Sequence, residues 1–298
     1  MSATLPLTPG SRIRIIAPSS QAEGSAVEQG LAELVELGFE PLLEPSLLEQ
    51  SHRYCAGTVE TRLHDLRAAL SEPDTPVIWA MRGGYGATQL LDGLDQAEVR
   101  TAGKLLLGFS DITALHLLWR QAGAPSIHGP NLTTLASVDA DSRDRLRRLL
   151  LDDDPPPRLL GAGGNGEGEH EGVLVGGNLA VLASLCGTRY LPSLAGAVLF
   201  LEEVGERPYR LDRMLTQLQQ SGCLDGVAAV ILGEFRDCDP TPADGEGYEG
   251  YEVARDFFAA RNVPVAWGFP FGHGKRSVPL RYGATVRLLP DQAQLDFF

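Results

Sequence analysis

Short β-branched and aliphatic runs alternate with segments of helical spacing over residues 12–131. The runs that predict strands are 12–20, 39–45, 76–87, 104–111 and 125–131. The segments that predict helices are 26–38, 59–71, 88–95 and 112–123. Strands and helices that alternate in this way build a mainly parallel sheet covered by helices on both faces. We therefore predict an α/β fold whose ligands bind beyond the carboxyl ends of the strands.

The second half of the chain has a different pattern. Residues 152–172 are rich in Pro, Gly and acidic residues and have little to bury, so we predict a linker there. After it, two helical segments lie among several strand-like runs, namely 195–204, 227–235, 263–274, 284–290 and 294–298. We predict an N-terminal α/β domain at 1–151 and a smaller, β-rich C-terminal domain at 173–298.

Composition excludes several classes of function. The formal net charge of -14 argues against nucleic acid and anionic membranes as partners. No run of about 18 apolar residues is present, and the first residues lack the pattern of a secretory signal. The four cysteines form no CxxC or zinc spacing, and Cys186 and Cys223 lie in apolar surroundings typical of buried thiols. We expect a reduced, cytoplasmic protein without a metal or cofactor.

Ser110 is the first candidate for chemistry. In "KLLLGFSDITALHLLW" an apolar strand runs into Ser110 and Asp111, and a helix follows. A nucleophile elbow has this local design, although the G-x-S-x-G pattern is incomplete because residue 112 is Ile. The alternative is that Ser110 or Asp111 only caps the helix. Both interpretations remain open at this point.

The segment "RGGYGA" (82–87) ends another predicted strand on glycines. Backbone N–H groups in such a loop can bind a phosphate or stabilise an oxyanion. The segment has neither the dinucleotide-binding fingerprint nor a P-loop. A plain tight turn is the alternative.

Two further groups could complete a catalytic site. Glu202 and Glu203 end a predicted strand, and alternation places them on opposite faces; Glu202 is our choice because it lies nearer the apolar run. His273 lies between two glycines, and His128, also at a strand end, is the rival. A serine hydroxyl needs an imidazole as base, and the imidazole needs an acceptor to orient it. Ser110, Glu202 and His273 supply these three parts.

Seven motifs together resemble one family. In chain order they are "IIAPSS", "RGGYGATQLL", "GFSDITALH", "HGPN", "GGNLAVLASLCGT", "LEEVGERPYRLDRML" and "GFPFGHG". The chain closely resembles the LD-carboxypeptidase family of serine peptidases, which includes murein tetrapeptide carboxypeptidases and microcin C resistance peptidases. The resemblance implies a flavodoxin-like N-terminal domain, a β-rich C-terminal domain and a homodimer.

The resemblance also assigns a Ser-His-Glu triad. It places the nucleophile on Ser110, the base on His273 and the acid on Glu202, although Glu203 beside it fits the motif nearly as well. The oxyanion hole would be formed by the backbone N–H groups of Gly84 and Asp111.

The implied reaction is the release of terminal D-Ala from the small peptide L-Ala-γ-D-Glu-diaminopimelate-D-Ala, without a metal or cofactor. Candidate substrate contacts are Arg82, Tyr85 and Arg207. Two alternatives stay open. The same chemistry could act on a peptidyl-nucleotide, as in microcin C resistance, or the chain could be a binding protein without turnover.

Overall fold

A computed structural model describes residues 7–152, 158–242 and 247–298. The chain forms two compact units. The first unit comprises Met1–Pro155 together with Val278–Tyr282, and the second comprises Pro156–Ser277 together with Gly283–Phe298.

Strands and helices are numbered along the chain within the described residues. The strands are β1 (Arg12–Ile16), β2 (Glu40–Leu42), β3 (Val77–Ala80), β4 (Leu105–Gly108), β5 (Ser126–His128), β6 (Arg158–Leu160), β7 (Gly163–Asn165), β8 (His170–Asn178), β9 (Ala197–Val204), β10 (Ala229–Arg236), β11 (Val265–Trp267), β12 (Leu280–Arg281), β13 (Thr285–Leu289) and β14 (Gln294–Phe297). The α-helices are α1 (Gly24–Glu36), α2 (Ser46–Glu49), α3 (Val59–Ser71), α4 (Gln96–Ala102), α5 (Thr113–Ala122), α6 (Leu132–Leu135), α7 (Ala140–Leu151), α8 (Leu179–Ser184), α9 (Pro208–Gln220) and α10 (Gly250–Ala259).

The first unit is built on a sheet with the order β12-β5-β4-β3-β1-β2. Strands β1 to β5 are parallel, and their order 2-1-3-4-5 is that of flavodoxin-like folds. All residues of β3 and β4 are buried, as expected for central strands covered on both faces. The predicted parallel α/β fold is confirmed. Its strands end at one edge, where the candidate serine lies.

Local sequence explains the helices of this unit. Helix α3 has the bounds expected from its apolar spacing, and Thr58 caps its first turn. Helix α5 is buried along almost its whole length and ends at Gly123, which adopts a left-handed conformation. The predicted helix at 88–95 is instead a 3₁₀ segment at Ala87–Gly93. It stays short because Asp95 caps the next helix, α4, two residues later.

The second unit has an eight-stranded sheet with the order β6-β14-β13-β8-β9-β10-β11-β7. Its centre, β8 to β11, is parallel, and helices α8, α9 and α10 connect these strands. The flanking strands are antiparallel. The predicted strand at 263–274 shrinks to β11, since Gly268, Pro270 and Gly272 interrupt the extended run.

Two stretches differ from the predicted domain bounds. Of the predicted linker, residues 153–157 lie outside the described residues, and residues 158–172 carry β6, β7 and the start of β8. Strands β6 and β7 lie at the two edges of their sheet, and each is a strand of three residues that are mostly exposed or half-buried. Residues 278–282 belong to the first unit, although the residues on either side of them belong to the second. They contain β12, which pairs with β5 of the first sheet.

The thiols also depart from expectation. Cys186 and Cys223 are half-buried, whereas Cys55 and Cys238 are buried. The prediction for Cys186 and Cys223 was wrong because both residues follow the ends of helices, where the chain reaches the surface. Within the described ranges, none of the helices combines the length and the apolar character that a membrane span requires.

Candidate active site

Ser110 lies at a strained turn between β4 and α5. Phe109 is extended, whereas Ser110 has a φ of +64°, a left-handed conformation that costs energy for a residue with a side chain. Neither the 3₁₀ turn Ser110–Ile112 nor α5 has a side-chain cap at its start. A nucleophile elbow requires this kind of turn, so the backbone at Ser110 fits that interpretation.

A glycine packs directly against the serine. A Cβ atom added to Gly83 would lie 3.0 Å from Cβ and 3.2 Å from Oγ of Ser110. Next to it, Gly84 has a φ of +97°, and an added Cβ would overlap Ser20. Ser20 donates its N–H to the carbonyl of Gly83 (3.2 Å), and Ser20 Oγ accepts the N–H of Tyr85 (3.1 Å). The "RGGYG" loop is thus a tight turn fastened beside Ser110.

Asn131 was missed by the sequence reasoning. Its side chain is buried and binds both backbone groups of Phe109, the residue before Ser110. Oδ1 accepts the Phe109 N–H (3.1 Å), and Nδ2 donates to the Phe109 carbonyl (3.4 Å). The "HGPN" motif was the available signal, but no spacing rule connects Asn131 with a turn 22 residues earlier.

Asp111 is almost fully buried, at 2% exposure. Its Oδ2 atom accepts hydrogen bonds from Ser19 Oγ (2.6 Å) and from the Ala87 N–H (2.8 Å). Burial raises the pKa of Asp111, while these hydrogen bonds and the charge of Arg62 oppose the rise.

Glu202 and His273 form a close pair in the second unit. Glu202 lies in the buried part of β9 and is fully buried, and its Oε2 lies 2.6 Å from His273 Nδ1. Burial lowers the pKa of His273, but the charge and hydrogen bond of Glu202 outweigh it, so the pKa is raised above its ordinary value. Donation of Nδ1–H to Glu202 fixes the tautomer in which Nε2 accepts a proton. A histidine in this state can act as a general base.

Glu203 has different partners. Its carboxylate accepts hydrogen bonds from Asn178 Nδ2 (2.9 Å) and from the N–H groups of Ala180 (2.8 Å) and Val204 (2.8 Å). Burial, reinforced by the charge of Glu202, raises the pKa of Glu203 to about 7. Within the second unit, Glu202 is thus the carboxylate that contacts His273, and Glu203 holds the start of α8.

A third carboxylate near His273 was not predicted. Glu234, at the end of β10, packs where a side chain on Gly274 would otherwise lie. Burial raises its pKa, and the positive charges of Arg236 and His273 partly offset the rise. No sequence motif singled out Glu234, because its neighbourhood forms only when β10 and the loop after β11 come together.

The other histidines and the candidate substrate contacts lie as follows. His128, the rival base, is buried in β5 with its ring 5.9 Å from that of Phe109. Arg82 donates to the carbonyl of Gln21 (2.5 Å). Tyr85 is 47% exposed. Arg207 precedes α9 and donates to Thr241 Oγ1 (2.9 Å).

The two arrangements define a class of protein. A parallel sheet that presents a strained serine at a strand-to-helix turn, together with a buried carboxylate–imidazole pair, is typical of serine hydrolases.

Comparisons with known proteins identify the family. Residues 13–129 match the model of the LD-carboxypeptidase N-terminal domain, and residues 171–288 match that of the C-terminal domain. A murein tetrapeptide carboxypeptidase from Pseudomonas aeruginosa is 38% identical over 289 residues, covering 93% of this chain and 92% of the relative. A putative carboxypeptidase from Streptomyces coelicolor is 36% identical, covering 97% of this chain and 94% of the relative. The chain belongs to the LD-carboxypeptidase family of serine peptidases, so it is a hydrolase of the carboxypeptidase type.

Solved structures agree with this fold. The crystal structure of a muramoyltetrapeptide carboxypeptidase from Oxalobacter formigenes superimposes with a TM-score of 0.84 at 32% identity, over 96% of this chain and 98% of the other. The structure of MccF in complex with glutamyl sulfamoyl guanosine gives a TM-score of 0.86 at 22% identity, over 98% of this chain and 97% of the other. The second similarity supports the fold alone.

Proposed function

We propose that this chain releases terminal D-Ala from a murein tetrapeptide, with Ser110 as nucleophile, His273 as base and Glu202 as the acid of the triad. The observation that carries the proposal is the 2.6 Å contact between Glu202 Oε2 and His273 Nδ1. A buried carboxylate on Nδ1 leaves Nε2 ready to take a proton from a serine hydroxyl. The strained turn at Ser110 supplies that hydroxyl.

The mechanism uses only groups of this chain. Ser110 Oγ attacks the carbonyl carbon before D-Ala while His273 Nε2 takes the hydroxyl proton. The backbone N–H groups of Gly84 and Asp111 hold the oxyanion. His273 returns the proton to the amine of D-Ala, which leaves, and a water molecule then hydrolyses the ester on Ser110. Glu202 keeps the imidazole oriented and stabilises its cation throughout.

The substrate assignment rests on the murein tetrapeptide carboxypeptidase from Pseudomonas aeruginosa, which is 38% identical to this chain over 289 residues. A murein tetrapeptide carries several carboxylates. Arg82 and Arg207 are candidate partners for them, and Tyr85 is a candidate for packing against the peptide. We also expect a cytoplasmic enzyme and a homodimer, and both stay predictions.

One observation supports a second substrate class. Tyr54 and Tyr85 are 57% and 47% exposed, and their rings make an edge-to-face contact at 5.3 Å beside the "RGGYG" loop. Exposed aromatic rings can stack on a nucleobase. A peptidyl-nucleotide is therefore the competing substrate.

Purified protein incubated with murein tri-, tetra- and pentapeptides, and separately with a peptidyl-adenylate, tests both proposals by mass spectrometry. We expect conversion of tetrapeptide to tripeptide, and a loss of at least about 10⁴-fold in kcat for Ser110→Ala. Ser137→Ala is the matched control, because this serine is exposed and its hydroxyl donates to the carbonyl of Thr134 (2.7 Å). An intact tetrapeptide beside a cleaved adenylate would favour the second substrate. Binding of either compound without turnover would indicate a binding protein.

A further inference from the structure

The side chain of Asp111 joins the candidate nucleophile to two neighbouring loops. One of its two carboxylate oxygens, Oδ2, accepts hydrogen bonds from both Ser19 Oγ (2.6 Å) and the Ala87 N–H (2.8 Å). Ser19 lies in the loop after β1, and Ala87 follows the "RGGYG" loop after β3. Because β1, β3 and β4 are parallel, these loops and the Ser110 turn all leave the same edge of the sheet.

A buried arginine, Arg62, also forms hydrogen bonds to the same two loops. Arg62 is 2% exposed and donates to the carbonyls of Pro18 (2.6 Å), Gly86 (2.8 Å) and Gly57 (3.2 Å). Its charge lowers the pKa of Asp111, against the effect of burial. The loop after β1 and the loop after β3 are thus each held twice, once by a buried cation and once by a buried carboxylate.

A gain in stability does not explain why Asp111 and Arg62 are buried in such a network. Buried charges are costly to desolvate, and apolar residues of similar volume are often equally stabilising. A fully bonded polar network does, however, fix one arrangement of the groups it joins. Here the groups joined are the backbone of Asp111 and the end of the "RGGYG" loop, which carry the two proposed oxyanion donors.

We propose that the Asp111 carboxylate is a positioning group that sets the spacing between Ser110 and the two backbone donors of the oxyanion hole. This inference rests on the proposed function, since it assumes that Ser110 is the nucleophile. The carboxylate itself does not touch the substrate. It acts through the loops that it joins, so its loss should lower kcat and leave KM nearly unchanged.

Three variants test the role. Asp111→Ala removes the shared acceptor, Asp111→Asn keeps an oxygen that can accept both hydrogen bonds, and Ser19→Ala removes one donor only. A displacement of about 1 Å costs about 100-fold in rate, so we expect that loss of kcat for Asp111→Ala. Asp111→Asn should recover most of it, and Ser19→Ala should lose about tenfold, a fraction of the same effect.

Thr75→Val is the matched control for lost stability. Thr75 is buried and accepts a hydrogen bond from Lys104 Nζ (2.8 Å) at the opposite, amino-terminal edge of the same sheet. Its loss should lower Tm and leave kcat unchanged. Circular dichroism supplies Tm and the folded fraction for every variant, and kcat is expressed per folded molecule.

The outcomes separate this inference from the proposed function. If Ser110→Ala is inactive while Asp111→Ala keeps kcat within about threefold of wild type, the carboxylate has a structural role only and the inference is wrong. If Ser110→Ala keeps its activity, the proposed function fails and this inference fails with it. If Asp111→Ala does not fold, Ser19→Ala decides between the two outcomes. Activity of Ser19→Ala equal to wild type contradicts the inference, and a loss of kcat at constant KM, with Asp111→Asn close to wild type, supports it.

Discussion

Each unit contains a histidine whose surroundings shift its pKa, and the two shifts have opposite directions. His116, in α5 of the first unit, is fully buried, and its Nε2 lies 2.8 Å from the Gly108 carbonyl oxygen. Burial lowers its pKa to about 4. His273, in the second unit, has a raised pKa because the carboxylate of Glu202 outweighs burial. Burial alone thus keeps an imidazole neutral, and a buried anion makes it able to take a proton.

The same contrast extends to the other candidate residues of each unit. In the first unit the candidate residues are arranged by backbone geometry. Ser110 has a positive φ, Gly83 packs against it, and the Asn131 side chain forms a hydrogen bond with the preceding residue. The second unit uses charge, with carboxylates at the ends of β9 and β10. Substitutions that change shape should therefore be most harmful in the first unit, and substitutions that change charge most harmful in the second.

Glu202→Gln should have the largest effect, since it removes what distinguishes His273 from His116. By analogy with the loss of the acid in other serine triads, we expect kcat to fall about 10⁴-fold. The neutral imidazole is the active base, and its raised pKa places the acid limb of the kcat–pH profile above the ordinary histidine range. Without the Glu202 charge, burial lowers that pKa, so the acid limb moves to lower pH. Steady-state kinetics from pH 5 to pH 9 measure both changes.

Glu203→Gln is the matched control for this prediction. Glu203 is equally buried in the same strand, but its hydrogen bonds go to Asn178, Ala180 and Val204. We expect a lower Tm and less than about tenfold change in kcat. A large loss of kcat in Glu203→Gln with an active Glu202→Gln would exchange the roles of the two residues.

Gly83→Ala tests the contribution of shape in the first unit. A Cβ at this position would lie 3.0 Å from the Ser110 Cβ, so the serine turn or the loop must shift. This shift of a few tenths of an ångström is smaller than the displacement of about 1 Å that costs about 100-fold, so we expect kcat to fall about tenfold with a small change in Tm. Gly24→Ala is the control, because a Cβ there meets nothing within 4 Å. Equal kcat in the two variants would show that the glycine contact has no part in activity.

His116→Gln should have the smallest effect, on stability. In the unfolded chain, His116 binds a proton below a pKa near 6.5. In the folded protein, burial lowers the pKa of His116 to about 4, so it stays neutral over the range between these values. Wild type should therefore lose about 2 kcal/mol more than the variant between pH 7 and pH 5. Glutamine can still donate to the Gly108 carbonyl and does not titrate. Urea unfolding at both pH values gives the difference, and parallel losses in the two proteins would contradict it.

Much of the fold could be predicted from local sequence. The bounds of α3 follow from apolar spacing and a Thr cap, and the parallel sheet follows from the alternation of strands and helices. The return of residues 278–282 to the first sheet could not be predicted, because β12 has only two residues and its partner lies far away in the chain.

The candidate site shows the same limit. The strand-to-helix turn at Ser110 and the opposite orientations of Glu202 and Glu203 could be predicted, since strand ends and alternation along a strand are local properties. The contacts of Asp111 and Asn131 join residues 92 and 22 positions apart, and no pattern along the chain records such separations. The close approach of Gly83 to Ser110 could not be predicted for the same reason, because it depends on how two loops fold together.

The path of the chain through its two units has an evolutionary consequence. Because Val278–Tyr282 supplies an edge strand to the first sheet, neither unit is encoded by one uninterrupted stretch of the gene. Recombination at a single crossover therefore cannot exchange one unit intact between relatives. A chimaera made by joining two parents once between the units should therefore carry a first sheet whose edge strand comes from the other parent.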